Sequence, residues 1–245
     1  MNLHPQEMAQ VAAAQAAPRL DLYSGIHKAL RALMADTLLA VGRMDTDDAL
    51  ELAQTSQRVL ELMDFCLSHI RHENQFVHAA IEARAPGASE VIAHEHLTHE
   101  AHVAGLVGLV AALRQLPAAE RASAALTLYR QLSLFVADNF QHMHVEETAH
   151  NAVLWSRYTD AELAQIHQAL VASIPPDEMM YVLRWLVPFM NPAERHAMMA
   201  DMQAHAPAPA FAAAMTTVRP HLTDREWAKL TRGLGLAAVP GLVSA

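Results

Sequence analysis

Two short stretches set an imidazole and a carboxylate four residues apart: "HIRHE", from His69 to Glu73, and "HMHVE", from His142 to Glu146. On a helix, residues i and i+4 share a face, so each stretch presents a ring and a carboxylate together. Both lie on apolar stripes, the first with Leu60, Met63, Cys66, Ile70 and Phe76, the second with Leu128, Leu132, Phe135 and Val153. His27 and His99 occupy similar stripes on two further helical stretches. Burying two ionised carboxylates among imidazoles is costly unless strong positive charge compensates them. A pair of cations is the natural compensation, since four His and two Glu suit a dinuclear site in which each carboxylate bridges both metals. Mixed imidazole and carboxylate ligation favours iron, manganese or zinc over calcium or magnesium.

The elements that must position these groups are helices. Ala, Leu, Met, Gln and Glu dominate, while the 8 Gly and 12 Pro fall mostly at punctuation points. One helix is expected from about Leu20 to Val41, and a second behind an N-cap at Asp45 or Thr46, running to "ARAPG". A third opens near Ser89 and stops at "QLPAAE"; a fourth ends near Trp155. Four long helices with short connections make an all-α, antiparallel up-down four-helix bundle. In that topology the start of the first and third helices and the end of the second and fourth lie together. His69, Glu73, His99, His142 and Glu146 all fall 9 to 15 residues from that end, a similar depth at about 1.5 Å per residue. His27 joins them if the first helix begins slightly earlier.

Composition narrows the alternatives. A chain of 245 residues with 53% hydrophobic and 18% charged residues is globular. Its formal charge of −9 and scattered Lys and Arg argue against nucleic acid. The single cysteine, Cys66, cannot form an internal disulfide. With no basic apolar leader and no apolar run of about 18 residues, a soluble cytoplasmic protein with no membrane partner is expected. No P-loop, GxGxxG or GxSxG occurs, and "HEHLTH" spaces its histidines one position too far apart for a zincin. A ferritin-like di-iron bundle needs two ExxH motifs, and only Glu147 to His150 is a plausible copy.

The ordered set, a His on the first helix, HxxxE on the second, His on the third and HxxxE on the fourth, resembles the hemerythrin-like (HHE cation-binding) family over roughly residues 20 to 155. The resemblance implies His27, His69, Glu73, His99, His142 and Glu146 as ligands of two iron ions in a non-haem di-iron centre, with manganese or zinc as alternatives. His96, His102 and Glu95 are the further candidates on the third helix. Classical oxygen carriers have HxxxH on that helix and a carboxylate five residues after the last His. Here position 98 is Thr and the last carboxylate falls at i+4, which resembles the four-His, two-Glu subgroup. Fewer imidazoles leave more open coordination positions, which suits reaction with O2, peroxide or NO over reversible O2 storage.

Other polar residues carry two readings each. Tyr23, four residues before His27, is either a proton or electron donor beside the metals or, more commonly for such a position, a core tyrosine. His72, His94, His144 and His150 are expected to bond ligands or face solvent. His78 is evenly balanced, the His78 to Glu82 pair reads as accidental, and Glu147 and Glu95 read as surface charges.

Three regions follow: a flexible or partly helical segment 1–19, the bundle 20–157 and a helical extension 158–245. The extension reads as four or five short helices, several opened by Thr-Asp, Pro-Pro-Asp or Asn-Pro. The extension is expected to pack on the bundle or in a homodimer. Two functions from different classes are implied: a di-iron oxidoreductase handling O2, peroxide or NO, and a non-enzymatic sensor of O2, NO or metal signalling through the extension.

Overall fold

The computed structural model describes residues 19–237; the expected segment 1–19 lies outside them save for Arg19. Helix α1 spans Ser24–Arg43. Helix α2 spans Ala49–His72 and passes through a π-helical stretch, Glu73–His78, into α3, Ala79–Arg84. Helix α4 spans Glu90–Gln115. Helix α5, Ala118–Val145, likewise passes through a π-helical stretch, Glu146–His150, into α6, Asn151–Arg157. No strand occurs among the described residues.

Local chemistry sets the boundaries. Asp21 accepts hydrogen bonds from the backbone N–H groups of Tyr23 and Ser24 at 2.9 and 3.0 Å, so α1 starts four residues later than the apolar stripe alone indicates. The second helix is capped by Asp48, not Asp45 or Thr46: its carboxylate accepts from Leu50 and Glu51 N–H at 2.8 and 3.1 Å. Asp45 caps only the preceding turn, through Asp47 N–H. Pro86 and Gly87, with φ of 83°, turn the chain after α3, a conformation that favours glycine. Glu82 fixes this turn by accepting from Gly87 N–H, Ser89 N–H and Ser89 Oγ–H. That is the role of Glu82; His78 takes no part in this turn.

The four rods α1, α2–α3, α4 and α5–α6 pack in a ring, each against the next. Leu30, Leu33, Leu62, Met63, Leu113, Leu128 and Leu132 fill the bundle interior and are almost fully buried. Helix α7, Asp160–Ser173, belongs to the same compact unit, which ends at Ser173. Its Leu163 is buried with Tyr23, Val77, Ile81 and Leu154, and Ile166 and Leu170 pack on that cluster. Tyr158 ties the turn before α7 to α3, donating its hydroxyl proton to Ala80 C=O at 2.7 Å, and Arg84 stacks over the Tyr158 ring. The expected boundary at 157/158 therefore falls inside this unit, because α7 shares the bundle's apolar core.

The second unit, from Ile174, contains α8 (Pro176–Leu186), α9 (Pro192–His205), α10 (Ala208–Val218) and α11 (Asp224–Gly233). Leu183, Val187, Met199, Val218, Leu222 and Leu230 form its own core. Capping boxes at Asn191/Glu194 and Thr223/Glu226 open α9 and α11, at the Asn-Pro and Thr-Asp signals read from sequence.

Candidate metal centre

Six side chains from the four rods converge in the bundle. His27 comes from α1, His69 from α2, Glu73 and Glu146 from the starts of the two π-helical stretches, His96 from α4 and His142 from α5. His27 Nε2 lies 3.5 Å from both Glu73 Oε1 and Glu146 Oε2, and His69 Nε2 lies 3.1 Å from Glu73 Oε1. On the other side, His96 Nε2 lies 3.5 Å from Glu73 Oε2 and 3.6 Å from Glu146 Oε1, while His142 Nε2 lies 3.3 Å from Glu146 Oε1. Each carboxylate thus gives one oxygen to the His27/His69 pair and the other to the His96/His142 pair.

The donor set fits cations. Both oxygens of Glu73 and Glu146, with His27 Nε2 and His69 Nε2, are buried and make no hydrogen bond, an arrangement too costly to persist without a charged partner. His96 Nε2 and His142 Nε2 stand 3.0 Å apart. Two ligands held about 2.1 Å from one ion lie about 3.0 Å apart at right angles and about 3.4 Å apart at tetrahedral angles. The observed separations cover that range.

The outer nitrogens are held too. His27 Nδ1 meets Glu147 Oε1 at 3.1 Å, and Glu147 is itself clamped by Arg31 through contacts of 2.5 and 3.0 Å. His142 Nδ1 meets Glu95 Oε2 and His96 Nδ1 meets Asn74 Oδ1, both at 2.8 Å. Such partners orient the rings and keep the inner nitrogen free for a metal. Glu147 and Glu95 therefore brace the site.

Without a metal the cluster stores protons on imidazole. Burial opposes charge on His27, but the Glu147, Glu73 and Glu146 carboxylates outweigh it and raise the ring to about 9. Burial likewise opposes charge on His96, and Glu146 and Glu73 outweigh it, again to about 9. Glu73 is held well below the usual carboxylate range: burial would raise it, but His69, His27 and His96 prevail. For Glu147 burial is outweighed by His27 and Arg31, which lower it to about 2.

His99, the expected third-helix ligand, is buried but turned away from the carboxylates. Its Nε2 meets Asp138 at 3.0 Å and its ring packs edge-on against His142 with centroids 4.6 Å apart. His96, three residues earlier, takes the inner position, 3.5 Å from Glu73 and 3.6 Å from Glu146. His102 is exposed, as are His94 and His144. Tyr23 is buried, its hydroxyl 3.1 Å from His150 Nδ1; burial, then the charges of Glu73 and Glu146, hold its pKa well above the ordinary tyrosine value.

Sequence reasoning underrated His78 and His150. Both are buried, their rings are 5.2 Å apart, and together with Glu146 they form a third group of potential ligand atoms. His78 stacks on His96 with centroids 4.9 Å apart. Burial and the neighbouring His96 lower it to about 4, so it is neutral at pH 7. The available signal was a repeat: "HIRHENQFVH" and "HMHVEETAH" both add a His after the HxxxE. A π-turn brings residue i+5 back towards residue i, which places His78 with Glu73.

Residues 20–150, more than half of the chain, match the profile of the Hemerythrin HHE cation binding domain. No curated protein and no solved structure matches the chain.

Proposed function

Because the chain belongs to the hemerythrin HHE cation-binding family, we propose that its bundle holds two iron ions and uses them on a small oxidant: O2, peroxide or NO. The observation that carries this reading is the sharing of Glu73 and Glu146, each of which aims one oxygen at each imidazole pair. His27 and His69 would hold one ion and His96 and His142 the other, with Glu73 and Glu146 each offering one oxygen to either pair. Four protein atoms per ion leave coordination positions for an exogenous ligand. When bound, two ferrous ions would supply the two electrons that, with two protons, reduce one peroxide to two waters.

The protein's own residues set the conditions for that chemistry. Glu147 with Arg31 and Glu95 fix the rings of His27 and His142. Burial of His27, Glu73, His96, His142 and Glu146, with His69 half-buried at the edge, limits access of bulk water, which strengthens electrostatic interactions inside the site. Tyr23, kept protonated and touching His150, is the proposed proton donor. The second reading, a sensor of O2, NO or metal, draws support from the separately cored C-terminal unit, a module of the kind that could face a partner.

The test is metal content of protein purified without added metal, with absorption spectra before and after O2 or peroxide. The oxidoreductase reading expects two irons per chain, oxidant-dependent charge-transfer bands and turnover of peroxide with a reductant. Bands that respond without turnover, together with a change of oligomeric state, support the sensor. Two zincs with no oxidant response contradict the oxidoreductase reading and a sensor of O2 or NO, and leave a metal sensor.

A further inference from the structure

His78 is the least explained residue of the bundle. It is 5% exposed, and neither Nδ1 nor Nε2 finds a hydrogen-bond partner. Burying an imidazole that bonds to nothing is unfavourable unless something absent from the protein chain completes it. The two imidazole pairs that face the shared carboxylates are made by His27, His69, His96 and His142, without these nitrogens.

The surroundings of His78 define what that something is. One nitrogen each from His78 and His150 and one oxygen of Glu146 lie within 4.8 Å of one another. Three ligands each about 2.1 Å from one ion lie about 3.0 to 3.6 Å apart, so the three side chains draw inward to share a common centre. His150 is 3% exposed and oriented by the Tyr23 hydroxyl at Nδ1, leaving Nε2 for the cluster. Two imidazoles and a carboxylate are a recognised set for divalent first-row metals. The two rings come from the ends of the two π-helical stretches, and π-turns occur frequently at functional sites.

We propose that His78, His150 and Glu146 form a third cation site beside the dinuclear pair, taking a divalent first-row metal ion. The inference rests on the dinuclear reading for Glu146, whose carboxylate would then serve three ions. Neutral imidazoles add no negative charge, so the third ion is held more weakly than the pair and leaves first.

The test is titration of the metal-free full-length protein with Co(II), read as bound metal per chain by equilibrium dialysis and as visible absorption, with helical content followed by circular dichroism. The wild type should bind three Co(II), the third at least about tenfold more weakly, by the general dependence of affinity on ligand number and charge. His78→Ala and His150→Ala, altered on different helices, should each stop at two while keeping the spectrum of the first pair. Saturation of the wild type at two overturns the third site and leaves the dinuclear reading standing. Loss of a tight ion in His78→Ala, or three ions bound by it, also overturns it. An ion retained by Glu73→Ala and lost in His78→Ala upholds the third site even where the pair fails.

Discussion

The bundle and the C-terminal unit differ in how they hold their most deeply buried charged side chains. In the C-terminal unit Arg195 is the buried charge, and it is satisfied: Nε donates to Val187 C=O at 2.9 Å and Nη2 donates to Pro188 C=O at 2.7 Å and Met190 C=O at 3.2 Å. Around it the core is apolar and two helices open with complete capping boxes. In the bundle, Glu73 and Glu146 are buried with all four oxygens unbonded, and His78 with both nitrogens unbonded. Folding alone explains the first arrangement. The second stores unsatisfied chemistry, which a fold tolerates where a ligand completes it.

The sharpest way to break this contrast is to remove a shared carboxylate. Glu73→Ala and Glu146→Ala are each expected to lose most of the tightly bound metal while keeping much of the helical content, measured by elemental analysis and circular dichroism. Unchanged stoichiometry in both would sink the ligand assignment. Removing a brace acts less severely: Glu147→Gln and Glu95→Gln should weaken metal binding by about 10- to 100-fold, the usual effect of such partners, in a chelator competition. In the other unit, Arg195→Ala should cost about 2–3 kcal/mol by leaving buried carbonyls unpaired, seen in thermal unfolding, with metal content unchanged.

Acidity sharpens the contrast further. The folded-state pKa values of His27 and His96, about 9, lie above the ordinary 6.5. Their contribution to the stability of the metal-free bundle is complete below pH 6.5 and is lost as pH rises through about 9. Metal-free protein should therefore melt lower at pH 9.5 than at pH 6. Metal affinity moves the other way, because protons compete with metal for the same nitrogens. The smallest effects are expected for His94→Ala and His99→Ala: the first ring is exposed and the second bonds Asp138, so both should retain the full metal complement.

How far each feature was legible follows from which signals are local. Apolar periodicity and turn chemistry located all four rods, and the Asn-Pro and Thr-Asp openings of α9 and α11 coincide with real capping boxes. The two HxxxE pairs were legible because both partners share one helical face. The inner residue of the third helix was not: choosing between His96 and His99 depends on how deep α4 sits against α2 and α5, a property of packing across rods. The α1 start was misjudged by four residues because the apolar stripe runs on past Asp21, whose carboxylate holds the N–H groups of Tyr23 and Ser24, and the α2 start because Asp45, Thr46 and Asp48 are all plausible caps. His150 falls at i+4 from Glu146 and was legible as a face-sharing neighbour, but His78 lies on another rod, and its approach to Glu146 is a property of packing. The unit boundary at Ser173 rather than 157 turns on Leu163, whose burial against Tyr23 and Ile81 no local pattern records.

The most direct measurement of the central claim is the number of metal ions per chain that survive exhaustive dialysis of protein purified without added metal, by elemental analysis. Two retained ions in the wild type, and far fewer in Glu73→Ala, are expected if one carboxylate oxygen serves each imidazole pair. One ion or none in a wild type with intact helical content would contradict a dinuclear centre.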